Sequence, residues 1–547
     1  MKTSFTVLLL FLFIFPLSHL SAQSLQNNNS RLPFKSDRSV LFGKDIVIHD
    51  SSNQNQRHVA ICSAFNGWLY AVYSYYSIPW QGEAFEILKS VDNGITWIEI
   101  FDGPGVLNEC LSLDIVAIGD SISNIKVFVA FVLTNSSPGY PGQGWVDRFN
   151  GITGDWEAIL FETYPCYSIA LSTDFMYPAS SSSPHSLGVL YSTHNISNNL
   201  DSIIFCSSGD GGISLDSRQV VAATTGNHFN KVALTYGRSP SWNSGRYFAA
   251  WEEKGSYTSN TGHIYTAHSN PNFNSPFTTP VQLDALDPSE LNMCRNPAIA
   301  CQFNNVDNDS TNLSEVILFD KYDPSNQKYD ITGIYNLQAT NHSNFRKLII
   351  SNSAHTNFQS SINFNPFDST FMVTFYDSTT QKLPFLLNNF NLAHPDSWQW
   401  VSNGYNDDSN LATPYPKVVL DLGQERGANV WAKEGTGGNG VAMFDAPYST
   451  WTGISENNKN DESQLFWVYP NPCSSSLTVA FELKRTETVK ITLYNQIGET
   501  MGIVADRSYP DGQSLINYDV SNFSAGSYLL TLIGGNIVQS CKVFIVR

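Results

Sequence analysis

Apolar and polar residues alternate along residues 39–454 in a unit that repeats roughly every 55 to 64 positions. Each unit begins with a strand-like apolar stretch, continues through a polar loop into a more apolar stretch, and ends in a turn between two further strand-like stretches. The first stretches begin at His58, Leu113, Tyr167, Lys231, Pro297, Ser360 and Pro416, and the second cover 68–73, 125–133, 187–191, 247–251, 316–319, 371–376 and 428–432. No helical period separates them, so the pattern predicts an all-β fold of four-stranded repeats.

The units can be aligned seven times, which predicts a seven-bladed β-propeller, with a six-bladed ring as the alternative. Residues 39–49 form an additional strand pattern in which Val40, Phe42, Ile46 and Ile48 are the apolar positions. This strand precedes the first unit and has no local partner. We therefore expect it to complete the last blade and close the ring, because closure removes an exposed sheet edge.

One turn in the first unit is defined more sharply than the others. It has the spacing S-x-D-x-G-x-T-W, formed by Ser90, Asp92, Gly94, Thr96 and Trp97. This spacing resembles the Asp-box, or BNR repeat, of sialidase-like β-propellers. The resemblance implies that the carboxylate and hydroxyls lock the turn, and that the tryptophan packs between neighbouring sheets, away from any catalytic pocket. Weaker copies occur at 151–156, 207–212 and 394–398.

A polar linker at 455–464 separates a second domain at 465–547, whose six strand patterns predict a small Ig-like β-sandwich. Its motif residues are Tyr469, Pro470, Asn471, Pro472, Gly526, Tyr528 and Lys542. Together they resemble the type A C-terminal sorting domain of the type IX secretion system of Bacteroidota. The resemblance implies that the secretion machinery is a partner and that the protein crosses the outer membrane, to be released or attached to the cell surface.

The composition agrees with a secreted protein. Charged residues make up only 14% of the chain, against about a quarter in a typical soluble protein. The net charge of −18 opposes binding to nucleic acid through bulk electrostatics. Residues 1–22 have the charged start, apolar run and small-residue end of a signal peptide, followed by a polar leader at 23–38. No later run reaches the roughly 20 apolar residues of a transmembrane helix.

The cysteines and histidines show no familiar metal-binding spacing. Cys294 with Cys301, and Cys473 with Cys541, are the first disulfide pairs to consider, with free buried thiols as the alternative. His194 and His228 are far apart in sequence, which does not support a metalloenzyme. We expect no cofactor. Calcium is the one ion with a candidate site, a loop fragment containing Asp307 and Asp309 that lacks the expected glycine.

Three carboxylates are the candidates for catalysis. Glu252, Asp320 and Asp377 follow aromatic residues at the ends of three successive second strands, where blades meet around the channel. Such a cluster would bind a cation, accept sugar hydroxyls or supply an acid with a raised pKa. Solvation of ordinary strand ends is the alternative. Aromatic residues expected on the same face are the candidates for ligand binding, or pack only against loops: Tyr75, Tyr76, Trp80, Tyr140 and Trp145.

The sequence disfavours a sialidase. The candidates for its arginine motif are Arg31, in the polar leader, and Arg295, at the start of the fifth unit, and arginine is sparse around the predicted mouth. We therefore expect a secreted or surface module that binds glycans or proteins. A hydrolase or lyase acting on carbohydrates, and a purely structural surface component, are the alternatives.

Overall fold

The computed structural model of the protein describes residues 45–49, 54–77, 82–103, 109–119, 124–134, 142–174, 185–215, 217–238, 245–259, 262–270, 276–284, 293–302, 313–340, 345–351, 355–366, 370–388, 398–402, 414–424, 426–434, 439–446, 466–469, 471, 473–483, 485–495, 500–524, 526–534 and 537–545. These residues contain no α-helix, so none of them belongs to a helix long and apolar enough to span a membrane. The signal peptide, the leader and the linker lie outside them.

Every named secondary-structure element among the described residues before the linker is a β-strand. The strands are β1 (Ile46–Val47), β2 (Gln54–Ser63), β3 (Leu69–Ser77), β4 (Gly82–Ser90), β5 (Ile98–Asp102), β6 (Cys110–Ile118), β7 (Lys126–Thr134), β8 (Gly142–Asn150), β9 (Trp156–Thr173), β10 (Leu187–Asn195), β11 (Leu200–Ser208), β12 (Ser217–Thr224), β13 (His228–Gly237), β14 (Arg246–Lys254), β15 (His263–His268), β16 (Val281–Gln282), β17 (Cys294–Cys301), β18 (Glu315–Asp323), β19 (Lys328–Asn336), β20 (Arg346–Ile349), β21 (Asn357–Asn365), β22 (Thr370–Asp377), β23 (Phe385–Asn388), β24 (Gln399–Ser402), β25 (Lys417–Asp421), β26 (Arg426–Glu434) and β27 (Gly440–Asp445). The all-β prediction is confirmed.

These strands form antiparallel sheets arranged like the blades of a propeller. Among the described residues before the linker, five sheets have four strands each and one has seven, running from β6 to β12. The seven-stranded sheet arises because β9 is 18 residues long and pairs with β8 through its first part and with β10 through its second. The strands β2, β6, β9, β13, β17, β21 and β25 contact one another in that order, and β25 contacts β2 again. They surround a channel of about 320 Å³.

Apolar side chains fill the spaces between adjacent sheets. The strand faces alternate so that each sheet presents large residues to both neighbours, as Trp251 and Trp431 do from fully buried positions. Such interfaces hold the sheets together because apolar area is removed from water on both faces. The core is therefore divided into clusters between sheets, while the channel is left to the edges of the first strands.

The ring of sheets is closed by pairing between the first strand and the last strand before the linker. Strand β1 pairs antiparallel with β27, so Ile46 lies opposite Phe444. His49, directly after β1, approaches the first sheet, where its Nδ1 is 2.7 Å from Glu86 Oε1. The segment thus joins the last sheet to the first. Residues 39–44 of the predicted closing strand lie outside the described residues.

The turn after β4 is held by its own polar side chains. Ser90 Oγ donates to Asp92 Oδ1 over 2.8 Å, and the backbone N–H and hydroxyl of Thr96 both donate to the Asp92 carboxylate, at 2.9 and 2.6 Å. Trp97 lies 5.5 Å from Phe444 in the neighbouring sheet, between ring centroids. Asp210 makes equivalent bonds with Ser208 and Ser214 in the third unit. These carboxylates stabilise the turns between the third and fourth strands of their units, and neither of them lines the channel.

The C-terminal domain consists of two sheets around one apolar cluster. Its strands are β28 (Phe466–Tyr469), β29 (Ser476–Leu483), β30 (Glu487–Tyr494), β31 (Thr500–Tyr509), β32 (Gly512–Asp519), β33 (Gly526–Gly534) and β34 (Ile537–Ile545). The sheet orders are β28-β29-β32 and β31-β30-β33-β34. Asn471 ties the motif segment to the last strand, because its side chain donates to Lys542 O and accepts from Phe544 N, both at 2.7 Å. Tyr528 is buried and donates to Ser524 O.

The disulfide predictions are wrong, and the alternative of free thiols holds. The eight cysteines all lie among the described residues and form no disulfide there, and seven of them are buried. Cys294 and Cys301 are the two ends of the strand β17, so their Cα atoms are separated by about 23 Å at the rise of an extended strand, far beyond the reach of a disulfide. Cys473 pairs with Ile545, four positions along β34 from Cys541.

Candidate functional site

The first strands carry β-bulges at one end of the channel, which we call the mouth. In β2, β13, β17 and β21 two residues stand opposite one at this end. The extra residues include His58, Lys231, Asn296 and Gln359, and all four line the channel. Bulges change the direction in which side chains point and are common beside functional sites. The mouth is therefore built by a repeated local irregularity that turns polar side chains toward the axis.

Three mouth residues other than glycine have left-handed backbones. The φ angles are 53° at Asn296, 56° at Gln359 and 76° at Tyr415. This conformation is uncommon for residues with a side chain, most of all for a bulky aromatic. Proteins retain such strained residues where the surrounding structure requires them, often at binding sites.

Tyr415 places an exposed aromatic ring at the mouth. Its side chain is 40% exposed. Its ring centroid lies 5.0 Å from that of His58, and Lys231 Nζ lies 5.9 Å from the ring centre. Tyrosine, histidine and lysine thus form one group contributed by three different sheets.

The mouth is locally positive, although the protein is acidic. Burial and the positive charges of Lys231 and Arg57 lower the pKa of His58 to about 4, so its imidazole is neutral at physiological pH. Arg57 is paired with Glu83 Oε1 at 2.9 Å. Lys231 and Lys417, in contrast, have no ion pair with any carboxylate among the described residues. Lys231 Nζ donates to Leu111 O over 3.4 Å, and Lys417 acts on the buried Asp114 carboxyl, where it opposes the rise in pKa that burial causes. Two ammonium groups that form no ion pair among the described residues therefore stand at the channel entrance.

Glu252 and Asp320, two of the predicted catalytic carboxylates, lie beneath this rim. Both are fully buried, and both contact Asn296, whose backbone N–H donates to Glu252 over 3.4 Å and whose side chain donates to Asp320 over 2.7 Å. Burial raises the pKa of the Asp320 carboxyl to about 7, against the opposing effects of Asn296 and Arg295. It also raises the pKa of Glu252, against the opposing effect of Lys254, whose Nζ lies 3.0 Å from Glu252 Oε1. Asp320 also accepts the Gln359 N–H at 2.7 Å. It holds two of the left-handed residues in place.

Asp377 does not join the other two carboxylates. Its oxygens accept hydrogen bonds from the Thr379 N–H at 2.9 Å and the Thr380 hydroxyl at 2.7 Å, and one lies 2.7 Å from His355 Nδ1. Among the described residues, the hydrogen-bond partners of Asp377 differ from those of Glu252 and Asp320. The expectation of three convergent carboxylates is therefore corrected to two, because Asp377 is engaged by the turn that follows its strand.

The predicted ligand-binding aromatics are also placed differently from expectation. Tyr75 is buried, and its hydroxyl donates to Asp102 over 2.5 Å. Trp145 packs between Phe131 and Phe161 rather than standing free. Tyr76 is half-exposed, as Trp145 is, and its ring centroid lies 6.0 Å from the guanidinium carbon of Arg57. Trp80, Tyr140 and the calcium candidates Asp307 and Asp309 lie outside the described residues.

A second polar group, missed in the sequence, lies where the sheets containing β10 and β13 meet. His194 and Asp201 are opposite each other in the pairing of β10 with β11, and His228 begins β13. The Nδ1 atoms of the two histidines lie 2.5 and 3.3 Å from separate oxygens of Asp201. The short hairpin between positions 194 and 201 was a signal for one half of this group. The contribution of His228 depends on the contact between sheets.

Comparison with known families identifies the C-terminal domain. Residues 467–547 match the family described as the secretion system C-terminal sorting domain, which confirms the prediction made from the motif between Tyr469 and Lys542. The protein is exported by the type IX secretion system to the cell surface or the extracellular space. No curated protein matches the chain.

Several solved structures are similar in fold. An α-L-arabinanase from Penicillium chrysogenum is 12% identical with a TM-score of 0.42, covering 74% of this chain and 98% of that one. An α-L-arabinofuranosidase from Fusarium graminearum is 13% identical with a TM-score of 0.41, covering 61% and 93%. A protein of unknown function from Dyadobacter fermentans is 12% identical with a TM-score of 0.40, covering 74% and 98%. Likenesses this distant carry no argument about what this chain binds.

Proposed function

We propose that the exported protein is a seven-bladed β-propeller that binds an acidic glycan at the mouth of its channel. The count of seven treats the seven-stranded sheet as two blades that share β9 and rests on the seven first strands around the channel. The first part of β9 is then the fourth strand of the second blade, and its second part is the first strand of the third blade, with no loop between them. Export to the surface would bring such a module into contact with extracellular polysaccharides.

The observation that carries this proposal is the exposed ring of Tyr415. A strained, left-handed backbone holds it beside Lys231 and the neutral His58. The apolar face of a sugar ring stacks on an aromatic side chain, while neighbouring polar groups bond its hydroxyls. A loop with no binding role would gain nothing from keeping a tyrosine in this conformation.

The charge at the mouth favours an acidic sugar over a neutral one. A chain of net charge −18 repels polyanions in general, so the ammonium groups of Lys231 and Lys417, which form no ion pair among the described residues, would select for them locally. Carboxylate or sulfate groups on the glycan would pair with these lysines. Gln359 and Ser360, which line the same channel and are half-buried, carry polar side chains of the kind that bond hydroxyl groups.

The test compares two tyrosines of nearly equal exposure. Tyr415→Ala should weaken retention of the full-length protein on immobilised polygalacturonate by roughly tenfold, the size of one lost aromatic contact. Tyr164, which is 42% exposed on β9, provides the control, and Tyr164→Ala should bind as the wild type does. Equal behaviour of the two variants, or no binding by the wild type to any acidic polysaccharide, would refute the proposal.

Hydrolysis at the same mouth is the second candidate, favoured by one observation. Asp320 has a pKa near neutrality, about 7, and lies next to another buried carboxylate, Glu252. That pairing would give an acid and a base at one pH. The same polysaccharides should be screened for new reducing ends, with Asp320→Asn as the variant that must lose any product. If the wild type neither binds nor cleaves these polysaccharides, the remaining explanation is that the protein is a structural component of the cell surface.

A further inference from the structure

His194, Asp201 and His228 form a compact group whose members come from two sheets. Asp201 is buried, while the side chains of His194 and His228 keep 13% and 22% exposure. Each of the three residues has one potential metal-binding atom, an imidazole nitrogen or a carboxylate oxygen, that lies within 4.8 Å of those of the other two. Donor atoms about 2 Å from one metal ion are separated by 3 to 4 Å, so small shifts of the rings would bring all three to a common centre.

Further residues hold the carboxylate in position. Asp201 Oδ2 accepts the Phe229 N–H at 3.1 Å and the Tyr257 hydroxyl at 2.9 Å. Tyr257 also packs on His228, with ring centroids 3.8 Å apart, and stacks on Tyr167 at 4.0 Å. Metal ligands are typically oriented by such outer contacts. The group is therefore ordered by residues that would not themselves bind the ion.

We propose that His194, Asp201 and His228 bind one transition-metal dication, Zn²⁺ being the best match. Two imidazoles and one carboxylate suit zinc and its neighbours, whereas calcium and magnesium prefer oxygen ligands alone. Three protein ligands leave a coordination position for water or a ligand oxygen. Because the histidines are partly exposed, that position would be accessible from solvent.

The chain also offers a metal-free explanation, which the experiment must separate from the proposal. Two neutral imidazoles could each donate an Nδ1 proton to Asp201 and join the sheets by hydrogen bonds alone. His263 and Asp284 show such a pair with a single histidine, at 2.7 Å between Nδ1 and Oδ2. Substituting His263 therefore removes a similar His–Asp contact without touching the proposed ligands.

Metal binding should be measured on the full-length protein after treatment with a chelator. We expect the wild type and His263→Gln to take up one equivalent of Zn²⁺ in isothermal titration, and to gain thermal stability from it. His194→Gln and His228→Gln, at the partly exposed rim, should each lose affinity by at least a hundredfold. Their unfolding temperature without metal shows whether they are folded.

Cobalt provides a second reading of the same site. Co²⁺ added to the wild type should give the visible absorption of a low-coordinate site with nitrogen ligands, and this signal should be absent from both ligand variants. A wild type that binds no Zn²⁺ beyond the amount bound by His228→Gln, with no change in thermal stability, would overturn the proposal and leave the hydrogen-bonded explanation.

Discussion

Deleting residues 465–547 is expected to abolish appearance of the protein at the cell surface and in the medium. The match of residues 467–547 to a secretion system sorting domain places the export signal in this folded unit. Residues 1–22 are predicted to direct the chain as far as the periplasm, so the truncated protein should accumulate there. Fractionation followed by immunoblotting measures the distribution.

Two controls make this deletion informative. A reporter carrying a signal peptide and residues 455–547 should reach the surface, which would show that the domain is sufficient. Asn471→Ala should export less well than the wild type, because Asn471 makes two 2.7 Å hydrogen bonds to the last strand. Normal secretion of the truncated chain would mean that the export signal lies elsewhere.

The second large effect concerns the pH dependence of stability. Glu315 begins β18 and is fully buried; burial raises the pKa of its carboxyl from 4.5 to about 8, opposed only by the Thr266 hydroxyl. Between these values the folded chain keeps a proton that the unfolded chain releases. Stability therefore falls as pH rises toward 8, by about 1.4 kcal/mol for each pH unit.

Glu315→Gln should remove this loss because the amide is neutral in both states. The variant is expected to resemble the wild type near pH 5 and to exceed its free energy of unfolding by roughly 3 to 4 kcal/mol near pH 8. Urea denaturation at the two pH values measures the difference. Asp323→Asn, at the other end of β18, is the control, because hydrogen bonds from Ser325 lower the pKa of Asp323 and no gain toward high pH is expected. A constant difference between Glu315→Gln and the wild type would contradict the account.

The sequence was most informative where the pattern is local. Alternation within strands and the turn chemistry from Ser90 to Trp97 depend on neighbouring residues, and strands occur at every predicted first stretch. The predicted starts were displaced by a few residues because the bulges at His58, Lys231 and Asn296 interrupt the alternation. A bulge places two residues of one strand opposite one residue of its partner. It can therefore be identified only when the pairing of the two strands is known.

The site was harder to predict because it depends on contacts between sheets. Asp377 follows an aromatic residue just as Asp320 does, yet Asp377 ends its strand and takes its partners from the turn at Thr379 and Thr380, whereas β18 continues past Asp320 to Asp323. Tyr75 is buried by the neighbouring sheet, which its own strand does not specify. Tyr415 was overlooked, and His194 and His228 were judged too far apart in sequence to act together, for the same reason, since each acquires its partners from elsewhere in the ring.

The most direct test of the proposed binding mouth uses two polymers with the same sugar backbone, one carrying free carboxylates and one carrying neutral methyl esters. The full-length protein should be titrated at low ionic strength with polygalacturonate and with the same polymer after complete methyl esterification. We predict that the wild type binds the charged form at least tenfold more tightly, and that Lys231→Gln combined with Lys417→Gln removes the preference, whereas Lys347→Ala on the outer strand β20 retains it. Equal binding of the two polymers by the wild type, or an undiminished preference in the double variant, would contradict the account.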